Sequence, residues 1–76
     1  MATAILNALK ALVTKIPWNK VATFLKWAAD FAVTAAKLTK DGAEKVLKYI
    51  QNNPGKIVDW FLKGYSVAEI IKLILG

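Results

Sequence analysis

The chain contains no cysteine and no histidine. Disulfides, thiolate nucleophiles, imidazole bases and the usual His/Cys metal sites are therefore excluded. Arginine is missing too, so all eleven basic residues are lysine. Lysine offers a mobile point charge rather than the planar fork that suits phosphate clamping and base reading. Only five residues are acidic, and they are scattered. Asp41 and Glu44 have the spacing of one helix cap and Glu69 that of another. The four glycines fall at segment ends rather than in a phosphate loop. No catalytic residue, metal ligand or cofactor site is nominated, and the expectation is a protein that is not an enzyme. There is also no run of about eighteen uncharged apolar residues, the length a clear transmembrane helix needs. The nearest stretch, Val21–Ala36, is interrupted by Lys26 and Asp30.

What the chain does have is apolar content and positive charge. Its 76 residues suffice for one small domain, and 57% of them are hydrophobic. So small a domain cannot hide all of that surface, and exposed apolar patches mark a partner or a membrane. The net charge of +6 points to a polyanion, either an anionic membrane or nucleic acid.

The few breakers divide residues 1–76 into a single domain of five helices, with no strand signal. The first spans about 2–15, with Thr3, Asn7, Lys10 and Thr14 on one face and Ile5, Leu9, Leu12 and Ile16 on another. Pro17 ends it. The second spans about 19–38 and carries one narrow polar stripe of Thr23, Lys26, Asp30, Thr34 and Lys37. Because it is otherwise apolar, it is expected to be central and contacted from several sides. Lys26 and Asp30 could form a buried pair that senses lipid. The continuing stripe favours the plainer reading, a solvated face with the two residues paired across a turn. Helices follow at about 42–52 (capped by Asp41 and Glu44), 54–63 (Asn53-Pro54 at its start, Gly64 at its stop) and 67–75 (capped by Ser66 and Glu69). The expected core sets the second helix against Ile5, Leu9, Leu12, Val46, Ile50, Phe61, Ile70 and Ile74.

The tryptophans suggest a use for the exposed surface. Helical-wheel geometry puts Trp27 beside the polar stripe, Trp60 toward Lys56 and Lys63, and Trp18 in the Pro17 turn near Lys20. Tryptophan beside lysine at an apolar–polar boundary suits a membrane interface. The plainer alternative for any one of them is packing at the edge of a small core. The nominated membrane-binding residues are Trp18, Lys20, Trp27, Lys45, Lys48, Lys56, Trp60 and Lys63, with an anionic phospholipid membrane as the partner. Lysines spread over every helix suit a flat anionic surface. Five near a bilayer would contribute about 5 kcal/mol. Each inserted aromatic or leucine would add about 1.5–3 kcal/mol, reaching micromolar affinity overall. Loss of Trp60 is expected to weaken lipid binding more than stability.

The chain resembles the leaderless bacteriocins of aureocin, lacticin and enterocin type, and the circular bacteriocins, of Gram-positive bacteria. The resemblance rests on the Lys-rich, Cys-free, Trp-studded short helices and on an initiator-like Met1 without a leader. It rests also on an ending in which Trp60-Phe61-Leu62-Lys63-Gly64-Tyr65-Ser66 leads into Ile70-Ile71-Lys72-Leu73-Ile74. It implies an all-α, saposin-like bundle that permeabilises bacterial membranes without an obligatory protein receptor, with oligomers on the membrane conceivable. Residues 1–9 lack the basic start and apolar stretch of a secretory signal, so secretion without a cleaved signal peptide is expected. Two other classes stay open. Leu62 to Ile71 resembles the turn of a helix-turn-helix nucleic-acid-binding domain, although Glu69 would repel phosphate there. A helical lipid- or protein-interaction module is the other.

Overall fold

The computed structural model describes all residues, 1–76, and contains helices and turns only. Five α-helices occupy Ala2–Lys10 (α1), Val21–Ala36 (α2), Lys40–Asn52 (α3), Pro54–Leu62 (α4) and Val67–Leu75 (α5). They form an all-α bundle, as the spacing of apolar residues predicts. None is long and apolar enough to cross a membrane.

The termini of these helices show where local chemistry departs from simple periodicity. The first helical segment reaches Lys15 as expected, but its last five residues, Ala11–Lys15, are wound as a 3₁₀-helix. Pro17 has no amide to return to the Val13 carbonyl, so the Ile16 amide takes that acceptor at 3.0 Å. Ile16 itself is extended (φ −96°, ψ 135°), the conformation a following proline favours. A 3₁₀ turn at Trp18–Lys20 then feeds α2. At α3 the expected cap is displaced. Thr39, not Asp41, is the N-cap, and its hydroxyl accepts from the Gly42 amide at 3.2 Å. Gly42 allows that approach, since a Cβ there would meet the same oxygen at 3.2 Å. Asp41 instead stands in the first turn, where its charge favours the positive helix end.

The α4–α5 connection follows the expected chemistry closely. Pro54 occupies the first turn of α4. Gly64 takes φ +86°, which lets the Tyr65 amide reach back to the Trp60 carbonyl at 3.0 Å. Ser66 then opens α5 with a full capping box. The Glu69 amide donates to the Ser66 hydroxyl at 3.2 Å, and the Ser66 amide donates to the Glu69 carboxylate at 3.2 Å. Ser66→Ala is expected to lower stability by about 1 kcal/mol, read as a shifted urea midpoint with an unchanged slope. An unchanged midpoint would show that the box contributes nothing in solution.

α2 packs against α1, α3 and α5 and touches α4 through Phe61, so it is the hub expected from its composition. Phe24, Phe31, Ala28 and Ala35 on its inner side are fully buried. They meet Ile5 and Leu9 of α1, Val46 and Ile50 of α3, Ile57 of α4, and Ile70 and Ile74 of α5 in one cluster. Phe61, expected in the core, is only partly buried at its edge. The hub is not wrapped on all sides, however. Ala22, Leu25, Ala29, Val33 and Ala36 lie on one outward face and are exposed, beside Lys26, Asp30 and Lys37. Lys26 and Asp30 are solvated, as the plainer reading requires, but form no ion pair. The one ion pair joins Lys63 and Asp59 at 3.0 Å.

Nothing polar connects one helix to another. No polar or charged residue is buried. Every side-chain hydrogen bond, the ion pair and every backbone bond outside the helices closes over five residues or fewer. The tertiary structure is held by apolar packing alone, which is non-directional and depends on the surrounding water.

Candidate functional site: a lysine-flanked aromatic corner

The site is built where the chain enters α2 and where it turns from α4 into α5. Pro17 and the following 3₁₀ turn hold Trp18 outside the core, where it is 89% exposed. Lys20, two residues on, lines a recess of about 320 Å³ together with Thr23 and Trp27 of α2. Phe61, Leu62, Gly64 and Tyr65 complete its lining. Leu62 and Tyr65 are substantially exposed at this corner. No acidic side chain lines the recess.

Beneath it lies an aromatic cluster. The Trp27 ring lies 5.5 Å from Phe24, 5.3 Å from Phe31 and 5.1 Å from Phe61, and Phe61 meets Phe24 edge-on at 5.0 Å. These separations suit favourable ring quadrupole contacts. Trp27 is half-buried, yet its indole nitrogen is fully buried and its N–H has no acceptor. A buried donor left unpaired costs about 1–3 kcal/mol. It is the only buried side-chain polar atom in the protein without a partner.

Trp60 requires a correction. The wheel of α4 turns it toward Lys56 and Lys63, but it is 8% exposed and belongs to the core. Tyr49 of α3 stacks on it at 5.7 Å and 7°, and Tyr65 at 6.3 Å and 20°. Lys56 does lie over the ring, with its ammonium 5.4 Å from the centroid, a cation–π contact. A wheel records neighbours within one helix and cannot register tyrosines arriving from α3 and from the next turn. In the folded protein Trp60 is a packing residue, not one presented to a surface.

Lys63, the next nominated cation, is engaged by Asp59. Its hydrogen bond to that carboxylate, and then the carboxylate's charge, hold the ammonium's pKa above the usual lysine value. Lys45 and Lys48 are exposed on α3 and do not line the recess. Of the eight nominated residues, only Lys20 and Trp27 share the recess, with Trp18 in the turn that delivers Lys20. A larger recess of about 480 Å³, between α1 and the α3–α4 junction, contains no ionisable side chain.

The chain matches no family model, no curated protein and no solved structure.

Sequence reasoning missed Leu62 and Tyr65 at the corner and the outer face of α2. Tyr65 carried a usable signal. It lies between a glycine stop and a serine cap, in a position with no helix of its own to turn it inward. Leu25 and Val33 carried one as well, since four short neighbours cannot cover every side of a helix that is apolar nearly all round.

Proposed function

We propose that this protein is a cationic antimicrobial of bacteriocin type, which binds anionic bacterial membranes and makes them leak. The observation that carries the reading is Trp18, an indole 89% exposed on a 3₁₀ turn beside Lys20 in a protein of net charge +6. Water does not favour that arrangement, whereas an anionic interface accepts both groups at once. The outer face of α2 adds a second apolar surface, about 21 Å long from Ala22 to Ala36 at the helical rise, with Lys26 and Lys37 along its margin.

The same packing supplies a route from binding to leakage. In water the five helices stay together because separating them would hydrate their apolar faces. At a lipid interface acyl chains can cover those faces, and the driving force for helix–helix contact disappears. No hydrogen bond or ion pair between helices resists their separation, while each helix keeps its internal backbone bonds. The bundle therefore spreads as intact helices, wedging lipid apart.

Nucleic-acid binding receives less support. The exposed positions of α5 are Ala68, Glu69, Lys72 and Leu73, with Ser66 before them. One cation beside one carboxylate and a leucine is a poor surface for phosphate or base edges.

Sedimentation with vesicles tests the reading. The protein is expected to pellet with phosphatidylglycerol-containing vesicles, less so as salt is raised, and not with phosphatidylcholine alone. Trp18→Ala should weaken that binding about tenfold without changing thermal stability. Absence of binding, or equal binding to both vesicles, would refute it.

A further inference from the structure

We propose that the recess beside Lys20 is a binding site for a single anionic phospholipid, holding its phosphate and the first methylenes of its chain. The inference rests on the membrane reading above and goes beyond general adhesion to charge. Lys20 is the only cation lining the recess; it makes no ion pair, and no carboxylate shares the walls. Tyr65 also lines the recess, and its hydroxyl makes no hydrogen bond within the protein. Phe61, Leu62 and Trp27 supply apolar wall, so a phosphate bearing a hydrocarbon tail matches both halves of the lining.

One further observation favours an anion here. The first turn of α2 has neither an acidic residue nor a side-chain cap, so no negative charge offsets its positive end next to the recess, although the 3₁₀ turn before it already gives the Val21 amide the Trp18 carbonyl. Trp27 is one of the walls, so its indole resonance reports on anything that fills the recess, although its nitrogen is buried and does not donate into it. The volume of about 320 Å³ is at the lower end of ligand sites, enough for a headgroup and part of a chain rather than a whole lipid.

The test uses nitrogen-15-labelled protein, whose three tryptophans give three indole N–H resonances assigned by single Trp→Phe variants. The probes are dihexanoyl phosphatidylglycerol below its micelle concentration, dihexanoyl phosphatidylcholine, and inorganic phosphate. The glycerol lipid is expected to shift the Trp27 indole resonance along a saturable one-to-one curve, leaving Trp60 still. Phosphatidylcholine should have no such effect, and phosphate should bind at least about tenfold more weakly. Lys20→Gln should raise the dissociation constant for the glycerol lipid about tenfold with the helical spectrum unchanged. An unmoved Trp27, an equal response to phosphatidylcholine, or an unaffected Lys20→Gln variant would overturn the site. Phosphate as strong as the lipid would make it an inorganic-anion site and also overturn it. If Trp27 fails to respond but vesicles still bind, only this inference falls; if vesicles are not bound either, the membrane reading falls with it.

Discussion

Phe24→Ala is expected to cost about 3–5 kcal/mol and to leave little of the native state. Phe24 is fully buried, edge-on to Phe61 and tilted against Trp27, so truncation opens a cavity where α2 meets α4. The loss is large for this chain. Domains have roughly 0.05–0.15 kcal/mol of stability per residue, about 4–11 kcal/mol at this length. The protein has no disulfide and no polar contact between helices to limit the damage. Guanidinium unfolding followed by far- and near-UV circular dichroism measures it. Helical signal that survives with the aromatic signal gone would fit, because each helix keeps its own caps and bonds. A loss below about 1 kcal/mol would show that the aromatic cluster does not organise the core.

The second large effect concerns function with the fold unchanged. Leu25 and Val33 are 39% and 54% exposed on the outer face of α2, so Leu25→Lys with Val33→Lys should alter stability by no more than about 0.5 kcal/mol each. Adhesion by charge alone would be improved by two more lysines, each adding about 1 kcal/mol near an anionic surface. Insertion of this face predicts the reverse. Each substitution removes an apolar contact with lipid and places a charge at its depth, and a net loss of about 1.4 kcal/mol at each site compounds to about a hundredfold. The double variant should therefore need about a hundred times more protein to release the contents of anionic vesicles. Leakage equal to or stronger than that of the original protein would mean that this face stays out of the bilayer.

Much of the fold was legible because its signals are local. Pro17, Gly64 and the Ser66–Glu69 pair mark helix ends that the structure reproduces, and the spacing of Ile5, Leu9 and Leu12 marks a buried face. The structure departs from these signals where a helix end or a side chain's burial depends on residues outside the segment. The α3 cap went to Thr39 because the Gly42 amide could reach its hydroxyl, an option that the Asp41–Glu44 spacing obscures. The corner was legible only in part. Trp18 is exposed because it sits in a turn between two helical stretches, where sequence shows it plainly. Trp60 looked equally suited to an interface, but Tyr49 and Tyr65 enclose it, and only the tertiary arrangement brings those rings together. Its replacement by alanine should thus lower thermal stability first and lipid binding as a consequence, the reverse of what the wheel implies.

The proposed function requires contact with anionic lipid to turn a packed helical bundle into a membrane-disrupting one. Its most direct test is release of a trapped dye from phosphatidylglycerol and phosphatidylcholine vesicles, with tryptophan emission recorded in the same sample. Release together with a blue shift is expected on the anionic vesicles alone. No release and no shift on either, or the same release from both, would contradict it.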